Sequence, residues 1–406
     1  MSQCRLTSHM AISANPDVVV VGAGVVGCSI AFHLARANAR VSVLDKGGIC
    51  AGMSARSGAL IRMHYTFAPE VELAWKSLGY FSNWREIVGG DCGFVRTGFA
   101  LIAGDDNTAR MRRNTVIMKS VGVEVELCEG AELRKLDPSV KIDDIALAAY
   151  EPQSGYADPV ATTRSLAEAA ERHKAAFVLN SPVSEIVVQG GRALGVRHAD
   201  GRTFNAGAIC IAAGPWTDGL LAPLGVRIGI KAERAQIAFF RRAPTTRHLA
   251  YIDSIAGSYL RPHGSDLTLA GLGEWRPEKE PNPDDFRETN DPEFIGEVGR
   301  RLAHRVPAME RTAYVRGHAG VYDVSPDARA VLGKVPGVDG LFVAAGFSGT
   351  GFKTAPAVGA AMAELILTGR SSTADVSPFG FERILSGHLI HPENEYVMGA
   401  GFGHSL

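Results

Sequence analysis

Hydrophobic and polar positions change their period twice near the start of the chain, and these changes define its first elements. Val18–Val21 is a short apolar run, and the pattern G-x-G-x-x-G follows at Gly22–Gly27. Apolar residues then recur at helical spacing as far as Ala37, and a second apolar run, Arg40–Leu44, ends at Asp45. The pattern predicts a strand, a glycine turn, a helix and a second strand that ends in an acidic residue.

Each part of this unit suits the binding of a dinucleotide. Gly22 permits a tight turn, Gly24 has no Cβ and lets a pyrophosphate approach the backbone, and Gly27 lets the helix pack close to the strand. The N-terminus of the helix offers free N–H groups and a partial positive charge. Asp45 lies 23 residues after Gly22, about the spacing expected for a carboxylate that accepts ribose hydroxyls. A dinucleotide site is therefore favoured over a structural glycine-rich loop.

Later segments continue to alternate between helical and extended patterns, which indicates an α/β fold. Asp158 and Pro159 have the residue types of an N-cap and a first helical position. The predicted helices are Pro69–Val88, Asn107–Val121, Pro159–Lys174, Pro292–Arg305 and Thr354–Leu367, with a short one from Glu129. The predicted strands are Phe94–Ala103, Val178–Leu179, Ser184–Val188, Leu194–Arg197, Ala208–Ala213, Ser258–Pro262, Leu267–Leu272 and Leu341–Ala345.

Composition and charge narrow the class of protein. The chain has 406 residues and a formal net charge of -1, which gives no reason to expect a nucleic acid or an anionic membrane as a partner. No apolar run approaches the ~20 residues that span a bilayer, and the first sixteen residues lack the apolar core of a secretory signal. The six scattered cysteines are typical of reduced thiols in a cytoplasmic protein and predict no metal site.

Four further motifs follow the first glycine turn in a fixed order. They are Gly155–Pro159, Ala213–Trp216, Gly320–Asp327 and Gly346–Lys353. Together the five motifs resemble the D-amino-acid oxidase/sarcosine oxidase family of FAD flavoenzymes, which includes glycine oxidase, dimethylglycine dehydrogenase and D-amino-acid dehydrogenase. The resemblance extends from Val18 to about Gly369.

The resemblance implies a Rossmann-type FAD-binding domain and a second, substrate domain built on a mixed or antiparallel sheet. We expect residues 17–90, 151–216 and 317–375 to form the discontinuous FAD-binding domain. Residues 91–150 and 217–316 are expected to form the substrate domain. Residues 1–16 are expected to be a flexible extension and residues 376–406 a C-terminal tail.

The cofactor is expected to be FAD and not NAD, because a second glycine loop opens a helix late in the chain. Backbone N–H groups at Gly349–Gly351 would face the N1/O2 edge of a flavin and stabilise negative charge there; the alternative is a turn for strand-to-helix packing. Gly320 stands where some relatives carry a cysteine bonded to the flavin, so the FAD is expected to be non-covalent. The predicted cofactor-binding residues are Gly22, Gly24, Val25, Val26, Gly27, Asp45, Lys46, Ser54, Arg56, Ser57, Gly58, Val183, Ala213, Gly214, Trp216, Gly346, Gly349, Thr350, Gly351, Phe352 and Lys353.

Five residues are predicted to carry the substrate chemistry. In relatives an arginine at the place of Arg62 and a lysine at the place of Lys353 face the substrate carboxylate; a planar guanidinium can bind a carboxylate with two parallel bonds. Tyr322 lies where relatives place an aromatic ring beside the substrate. Tyr259 and Arg261 share one face of a strand above the flavin, which makes Arg261 a second candidate anion partner. The alternatives are a phosphate-binding role for Arg62 and core packing for Tyr322.

The function that the resemblance implies is oxidation of the CH–NH bond of a small amino acid or N-methyl amino acid by hydride transfer to flavin N5. Two alternatives stay open: oxidation of the CH–OH bond of a 2-hydroxy acid, and the role of a flavin subunit in a hetero-oligomeric dehydrogenase. Oligomers of this chain are also compatible with the sequence.

The electron acceptor is expected to be oxygen, a quinone or a carrier flavoprotein. Sarcosine oxidases use a lysine on an upper strand to activate oxygen and have a histidine in the pocket, and the sequence register puts Thr268 and Leu272 at those places. That register favours a dehydrogenase. The segment Ser386–Leu406 is predicted to be a disordered tail, with docking to a partner or another copy as the alternative.

Overall fold

The computed structural model describes residues 15–273 and 280–397, and in it the first strand, helix and strand form as predicted. Strand β1 is Val18–Val21, helix α1 is Val25–Arg36 and strand β2 is Val41–Leu44. The two strands pair in parallel, and both are buried along their whole length, because helices pack on one face of their sheet and a three-stranded sheet packs on the other. Most of the predicted N-terminal extension lies outside the described residues.

Ten α-helices occur in the described part of the chain. The helix predicted over residues 69–88 is divided at Asn83, whose backbone is not helical (φ −124°, ψ 32°). The helices after α1 are α2 Ala68–Ser82, α3 Trp84–Ile87, α4 Thr108–Val121, α5 Gly130–Leu136, α6 Pro159–Arg172, α7 Thr217–Leu221, α8 Pro292–Arg305, α9 Gly351–Thr368 and α10 Glu382–Ser386.

Twenty strands complete the described elements. Those after β2 are β3 Leu60–Ile61, β4 Val95–Arg96, β5 Phe99–Ala103, β6 Glu126–Cys128, β7 Leu147–Glu151, β8 Gly155–Tyr156, β9 Ala176–Val178, β10 Val183–Gln189, β11 Arg192–His198, β12 Thr203–Asn205, β13 Ala208–Ile211, β14 Lys231–Arg241, β15 Ala250–Asp253, β16 Ser258–His263, β17 Leu267–Leu272, β18 Tyr314–Val324, β19 Val331–Lys334 and β20 Leu341–Ala345.

The first sheet has six strands in the order β19-β20-β13-β1-β2-β9. Its strands are parallel except for β19, which runs antiparallel to β20. Helices α1, α6 and α9 pack together beside it. Gly359 makes the α1–α9 approach possible, because a Cβ there would lie 2.1 Å from the Ser29 hydroxyl oxygen. The predicted α/β class is confirmed.

An eight-stranded mixed sheet in the order β18-β14-β17-β16-β15-β5-β7-β6 forms the second layer. All neighbours are antiparallel except β15 and β5. Helix α8 covers one face, where Phe294, Val298 and Leu302 form a core with Leu260 and Ala270. The expected mixed sheet of a second domain is therefore present.

Strand β18 corrects one predicted boundary. The return to the first domain was expected at residue 317, but β18 continues to pair with β14 as far as Val324. The first sheet resumes only at β19, which begins at Val331. A single unbroken strand therefore carries residues 317–324 in the second sheet.

The C-terminal segment also differs from its prediction as a disordered tail. In the described residues up to 397, Arg383 forms an ion pair with Asp327 (2.7 Å) and Arg329 forms one with Glu395 (2.8 Å). Tyr396 is only 7% exposed. This segment is packed onto the body of the protein because charged and aromatic side chains anchor it at several points.

The sequence predicted neither a membrane-spanning segment nor a metal site. Within residues 15–273 and 280–397, no helix combines the length and apolarity needed to cross a membrane. In the same residues, His, Cys, Asp and Glu side chains do not assemble into a group of three or more that could hold a metal ion. The five cysteines in this part of the chain are buried free thiols.

Candidate active site

A cavity of about 690 Å³ lies between the carboxyl ends of the six-stranded sheet and the uncovered face of the eight-stranded sheet. In this sheet β2 lies on one side of β1 and β13 on the other, so the strand order reverses at β1. Ligands of such sheets usually bind at the carboxyl ends of the strands beside that point. We call this space the central cavity. Its volume is within the range of roughly 300–1,000 Å³ typical of small-molecule sites.

The three glycines of the first turn have three different surroundings. Gly22 has a φ of +113°, and a Cβ there would lie 2.3 Å from the carbonyl oxygen of Ala212. Gly27 packs just as tightly, because its Cβ would lie 2.0 Å from the carbonyl oxygen of Gly22. Gly24 faces the central cavity, and a Cβ there would have only the Ser54 hydroxyl nearby, at 3.1 Å. Gly22 and Gly27 thus shape the turn, and Gly24 leaves room for a ligand.

The start of α1 is arranged to receive an anion. The first turn of the helix contains no acidic residue, so its dipole is not opposed locally. Ser54 accepts a hydrogen bond from the N–H of Val25 (2.9 Å). Asp45 accepts from the N–H groups of Ala23 (2.7 Å) and Gly47 (2.7 Å), which fixes its carboxylate at the edge of the cavity.

Most of the predicted cofactor-binding residues line this cavity, and three do not. Gly27, Gly346 and Thr350 lie behind its wall and shape the backbone. The predicted residues in the lining are Gly22, Gly24, Val25, Val26, Asp45, Lys46, Ser54, Arg56, Ser57, Gly58, Val183, Ala213, Gly214, Trp216, Gly349, Gly351, Phe352 and Lys353.

The second glycine loop is held in place by Asp323. Its carboxylate accepts hydrogen bonds from the N–H groups of Gly346 (2.8 Å) and Phe347 (3.2 Å), and its carbonyl accepts from the N–H of Ser348 (3.1 Å). Burial raises the pKa of Asp323 to about 6, although these N–H groups oppose the shift. Thr350 then donates its hydroxyl to the carbonyl of Phe347 (2.7 Å). The loop thus delivers the N-terminus of α9 to the cavity in a fixed orientation.

Two buried cations meet at the end of the cavity nearest α9. The Arg62 guanidinium lies 4.6 Å from the centre of the Tyr65 ring, and Lys353 Nζ lies 5.7 Å from the same centre. Both side chains line the cavity and are almost fully buried. Burial, together with the charge of Arg62, lowers the pKa of Lys353 well below its usual range. A guanidinium and an amine on one buried wall make a strong site for a carboxylate when the amine is protonated.

Glu70 lies behind these cations and balances part of their charge. Its carboxylate pairs with Arg329 (3.1 Å). Burial raises the pKa of Glu70 to about 7, and the charges of Arg329, Arg62 and Lys353 oppose that shift. The predicted carboxylate-binding pair is therefore embedded in a wider buried charge cluster.

Tyr259 on β16 and Tyr322 on β18 bring two phenol rings to the cavity from the eight-stranded sheet. Their side chains are hydrogen-bonded to each other, and both line the cavity. Gly271, which faces Tyr259 across the β16–β17 ladder, makes room for the ring, since a Cβ there would lie 2.2 Å from its Cζ. The structure therefore places both predicted tyrosines at the site.

Arg261 is not part of the cavity wall, although it shares a strand face with Tyr259. Its Nε donates to the carbonyl of Gly58 (2.6 Å), and its Nη1 donates to the carbonyl of Pro262 (2.9 Å). The guanidinium lies 4.3 Å from the centre of the Tyr156 ring. Arg261 thus supports the Gly58 loop from behind, and its predicted position as a second anion partner in the cavity is wrong.

The strand above the cavity contains no lysine. Thr268 donates to or accepts from His248 Nε2 (2.7 Å) on the side of the sheet that faces away from Tyr259. Leu269 and Gly271 are the β17 residues beside Tyr259. Leu272 lines the cavity. Thr268 therefore does not face the cavity, and β17 carries no amine.

The sequence analysis missed several residues that shape the site. Pro283, Asp284, Phe286 and Glu288 line the cavity from the segment between β17 and α8, where no element or site residue was predicted. Two of them pair with predicted cofactor residues: Asp284 with Lys46, and Glu288 with Arg56 at 2.6 Å. The sequence shows that Asp284 and Glu288 are acidic, but no local pattern indicates which basic residues they pair with.

Comparisons with known proteins agree with this geometry. The family model described as FAD dependent oxidoreductase (DAO) matches residues 17–365. Glycine oxidase of Geobacillus kaustophilus is 27% identical over 90% of this chain and 97% of its own. Sarcosine oxidase subunit beta of Rhodobacter capsulatus is 25% identical over 96% of this chain and 92% of its own. The crystal structure of L-proline dehydrogenase from P. horikoshii superposes with a TM-score of 0.86 at 27% identity, covering 93% of this chain and 99% of that one.

Proposed function

The chain belongs to the FAD dependent oxidoreductase (DAO) family, and from that membership we propose that it oxidises the CH–NH bond of a small amino acid or N-substituted amino acid. The expected family resemblance is confirmed, and FAD is the cofactor of this family of enzymes. The single observation that carries the choice of a carboxylate-bearing substrate is the pair of buried basic residues, Arg62 and Lys353, at one end of the central cavity; the CH–NH bond follows from the named relatives.

The residues of the cavity fit FAD. Gly24 leaves open space beside the N-terminus of α1, whose first turn contains no acidic residue. Asp45 lies at the end of β2 with a carboxylate suited to ribose hydroxyls. No cysteine or histidine is found among the described residues that line the cavity, which supports non-covalent binding. When bound, FAD supplies the acceptor for the hydride that leaves the substrate carbon.

Arg62 and Lys353 would hold the substrate carboxylate by charge-assisted hydrogen bonds. Their burial strengthens this attraction, because the local dielectric is lower than in water. A carboxylate fixed at this end determines where the neighbouring C–H and amine groups lie, which is an orientation effect on the rate. Tyr259 and Tyr322 line the cavity from the eight-stranded sheet, where their hydrogen-bonded phenol groups would contact the substrate.

A second candidate is a flavin subunit that passes electrons to a partner. The observations that favour it are the strand β17, which carries no lysine above the cavity, and the match to a protein named as a sarcosine oxidase subunit. Oxygen, a quinone and a carrier flavoprotein are the candidate acceptors. The two candidates share the same substrate site and differ only in where the electrons leave.

The proposal predicts reduction of the holoenzyme by amino acids in the absence of oxygen. Small amino acids, N-methyl amino acids and 2-hydroxy acids are mixed anaerobically with the protein, and flavin absorbance is followed. We expect bleaching by members of the first two groups. Bleaching by 2-hydroxy acids alone would contradict the CH–NH assignment, and repetition in air with peroxide detection separates an oxidase from a dehydrogenase.

The charge of Lys353 makes carboxylate binding depend on pH. Burial and Arg62 lower the pKa of Lys353, and a bound carboxylate favours its protonated form. Above its lowered pKa the Lys353 amine is neutral in the free protein, and it must take up a proton when a carboxylate binds. The affinity for a simple carboxylate therefore falls as the pH rises. We expect the Kd of acetate, measured by perturbation of the flavin spectrum, to rise with pH in the unaltered holoenzyme.

Lys353→Met tests the origin of this pH dependence. The variant should bind acetate more weakly at low pH, and its Kd should depend less on pH than that of the unaltered protein. The main remaining pH dependence should come from the ionisation of Glu70, which has a pKa of about 7. Lys334→Met, at an exposed position on β19, is the matched control and should leave the profile unchanged. An unaltered pH slope in Lys353→Met would rule out this role for Lys353.

A further inference from the structure

Residues 394–397 cross from the first domain to helix α4 and are fixed there by paired hydrogen bonds. The side-chain amide of Asn107 accepts from the N–H of Val397 (2.9 Å) and donates to its carbonyl (2.7 Å). Arg113 Nε donates to the Asn394 side chain (2.7 Å), and Asn114 donates to the Asn394 carbonyl (3.0 Å). We call residues 394–397 the C-terminal strap.

The strap inserts Tyr396 into the protein beside His64. The hydroxyl oxygen of Tyr396 lies 2.5 Å from His64 Nε2, and the two rings are 5.7 Å apart. His64 is fully buried, and burial lowers its pKa to about 3, with the charge of Arg62 adding to the shift. His64 is therefore a neutral ring anchored by one phenol, and it does not line the central cavity.

His64 is connected directly to the proposed carboxylate site. The Arg62 guanidinium donates a hydrogen bond to the main-chain carbonyl of His64. Glu151 holds the intervening residue from the other side by accepting from the N–H of Met63 (2.9 Å). The short loop that carries Arg62 is therefore held between Glu151 and Tyr396, and the His64 carbonyl is one acceptor that fixes the direction of the guanidinium.

We propose that Tyr396 is a positioning residue for substrate binding: through His64 it fixes the acceptor that aims Arg62 into the central cavity. The proposal rests on the proposed role of Arg62 as a carboxylate anchor. Tyr396 itself lies outside the cavity wall, so it acts on the substrate only through His64 and Arg62. The strap then has a function beyond stability, since it completes the support of the anion site from the far end of the chain.

Tyr396→Phe tests this inference because it removes only the hydroxyl and keeps the ring. The holoenzyme is titrated with acetate, and the Kd is read from the flavin spectrum; KM and kcat are measured with any amine that bleaches the flavin. We expect both the acetate Kd and KM to rise about tenfold, the effect of one lost hydrogen bond of ordinary strength. FAD content and kcat should change little.

Tyr251→Phe is the matched control. Tyr251 is also buried, and its hydroxyl donates to Asp137 (2.6 Å) in the core of the second domain, away from the cavity. Its loss should lower thermal stability but leave the acetate Kd unchanged. A Tyr396→Phe variant that is less stable but binds acetate as tightly as the unaltered protein would overturn the inference.

The outcomes separate this inference from the proposed function. If the unaltered protein binds acetate and Arg62→Ala does not, while Tyr396→Phe binds normally, the carboxylate anchor stands and the role of Tyr396 fails. If Arg62→Ala binds acetate as well as the unaltered protein, the anchor itself fails and the inference fails with it. Weakened binding in both variants, with FAD retained, supports the two together.

Discussion

Replacement of Arg62 by alanine is expected to raise the KM for the amine substrate by about a hundredfold while FAD stays bound. Arg62 is 3% exposed and lines the cavity beside Lys353. Removing one partner of a buried, hydrogen-bonded charge pair costs roughly 2–5 kcal/mol, and each 1.4 kcal/mol corresponds to about a factor of ten. The measurement is steady-state kinetics together with the flavin absorbance of the purified variant.

The variant Arg62→Lys refines this expectation. Lysine retains the charge but loses the planar fork that bonds to both carboxylate oxygens, so its KM should lie between those of the unaltered protein and Arg62→Ala. Arg241→Ala, at an exposed position paired with Asp266 on the second sheet, serves as the control and should change neither KM nor kcat. An unchanged KM in Arg62→Ala would remove Arg62 as the carboxylate anchor.

Local sequence rules predicted those elements whose signals are complete within a few residues. Helix α8 begins at Pro292 and ends at Arg305, as predicted, because a proline suits the first helical position and apolar residues recur at helical spacing after it. Strand β20 also has its predicted ends, Leu341 and Ala345. Asp158 caps α6 by accepting from the N–H groups of Val160 and Ala161, which its position before a proline indicated.

Sequence periodicity identified the right face of a strand but not how far along the cavity a side chain lies. Tyr259 and Arg261 alternate onto one face of β16, and this much was predicted. The guanidinium of Arg261 nevertheless reaches the carbonyl of Gly58 and the ring of Tyr156, outside the cavity wall. Distance along the strand depends on which neighbouring loops occupy the space, and no local pattern contains that information.

Contacts between remote parts of the chain were the least predictable. Tyr396 meets His64 across 332 positions, and the segment that contains it lacks any helical or alternating apolar pattern. Strand β18 presents the same difficulty in another form, since the extended pattern of residues 314–324 does not show which of the two sheets it joins. Both outcomes are decided by tertiary packing, which the order of hydrophobic and polar residues leaves open.

Gly24→Val is expected to give a folded protein that has lost its FAD. Gly24 has an extended backbone (φ −73°, ψ 177°) that any residue adopts, and a Cβ there would meet only the Ser54 hydroxyl, at 3.1 Å. The added methyl groups would instead occupy the space beside the N-terminus of α1, where the pyrophosphate must approach the backbone. Flavin absorbance per protein should fall to near zero, while the far-UV circular dichroism spectrum stays native.

Gly22→Val and Gly79→Val distinguish this effect from a general intolerance of substituted glycines. Gly22 has a φ of +113° and would place a Cβ 2.3 Å from a main-chain oxygen, so its replacement should prevent folding and not only FAD binding. Gly79 has open space around it on helix α2, so Gly79→Val should retain both fold and flavin. If Gly24→Val keeps its FAD, the pyrophosphate does not lie at this turn. The three variants therefore separate the two functions of the glycine motif: Gly22 makes the turn possible, and Gly24 keeps it open to the cofactor.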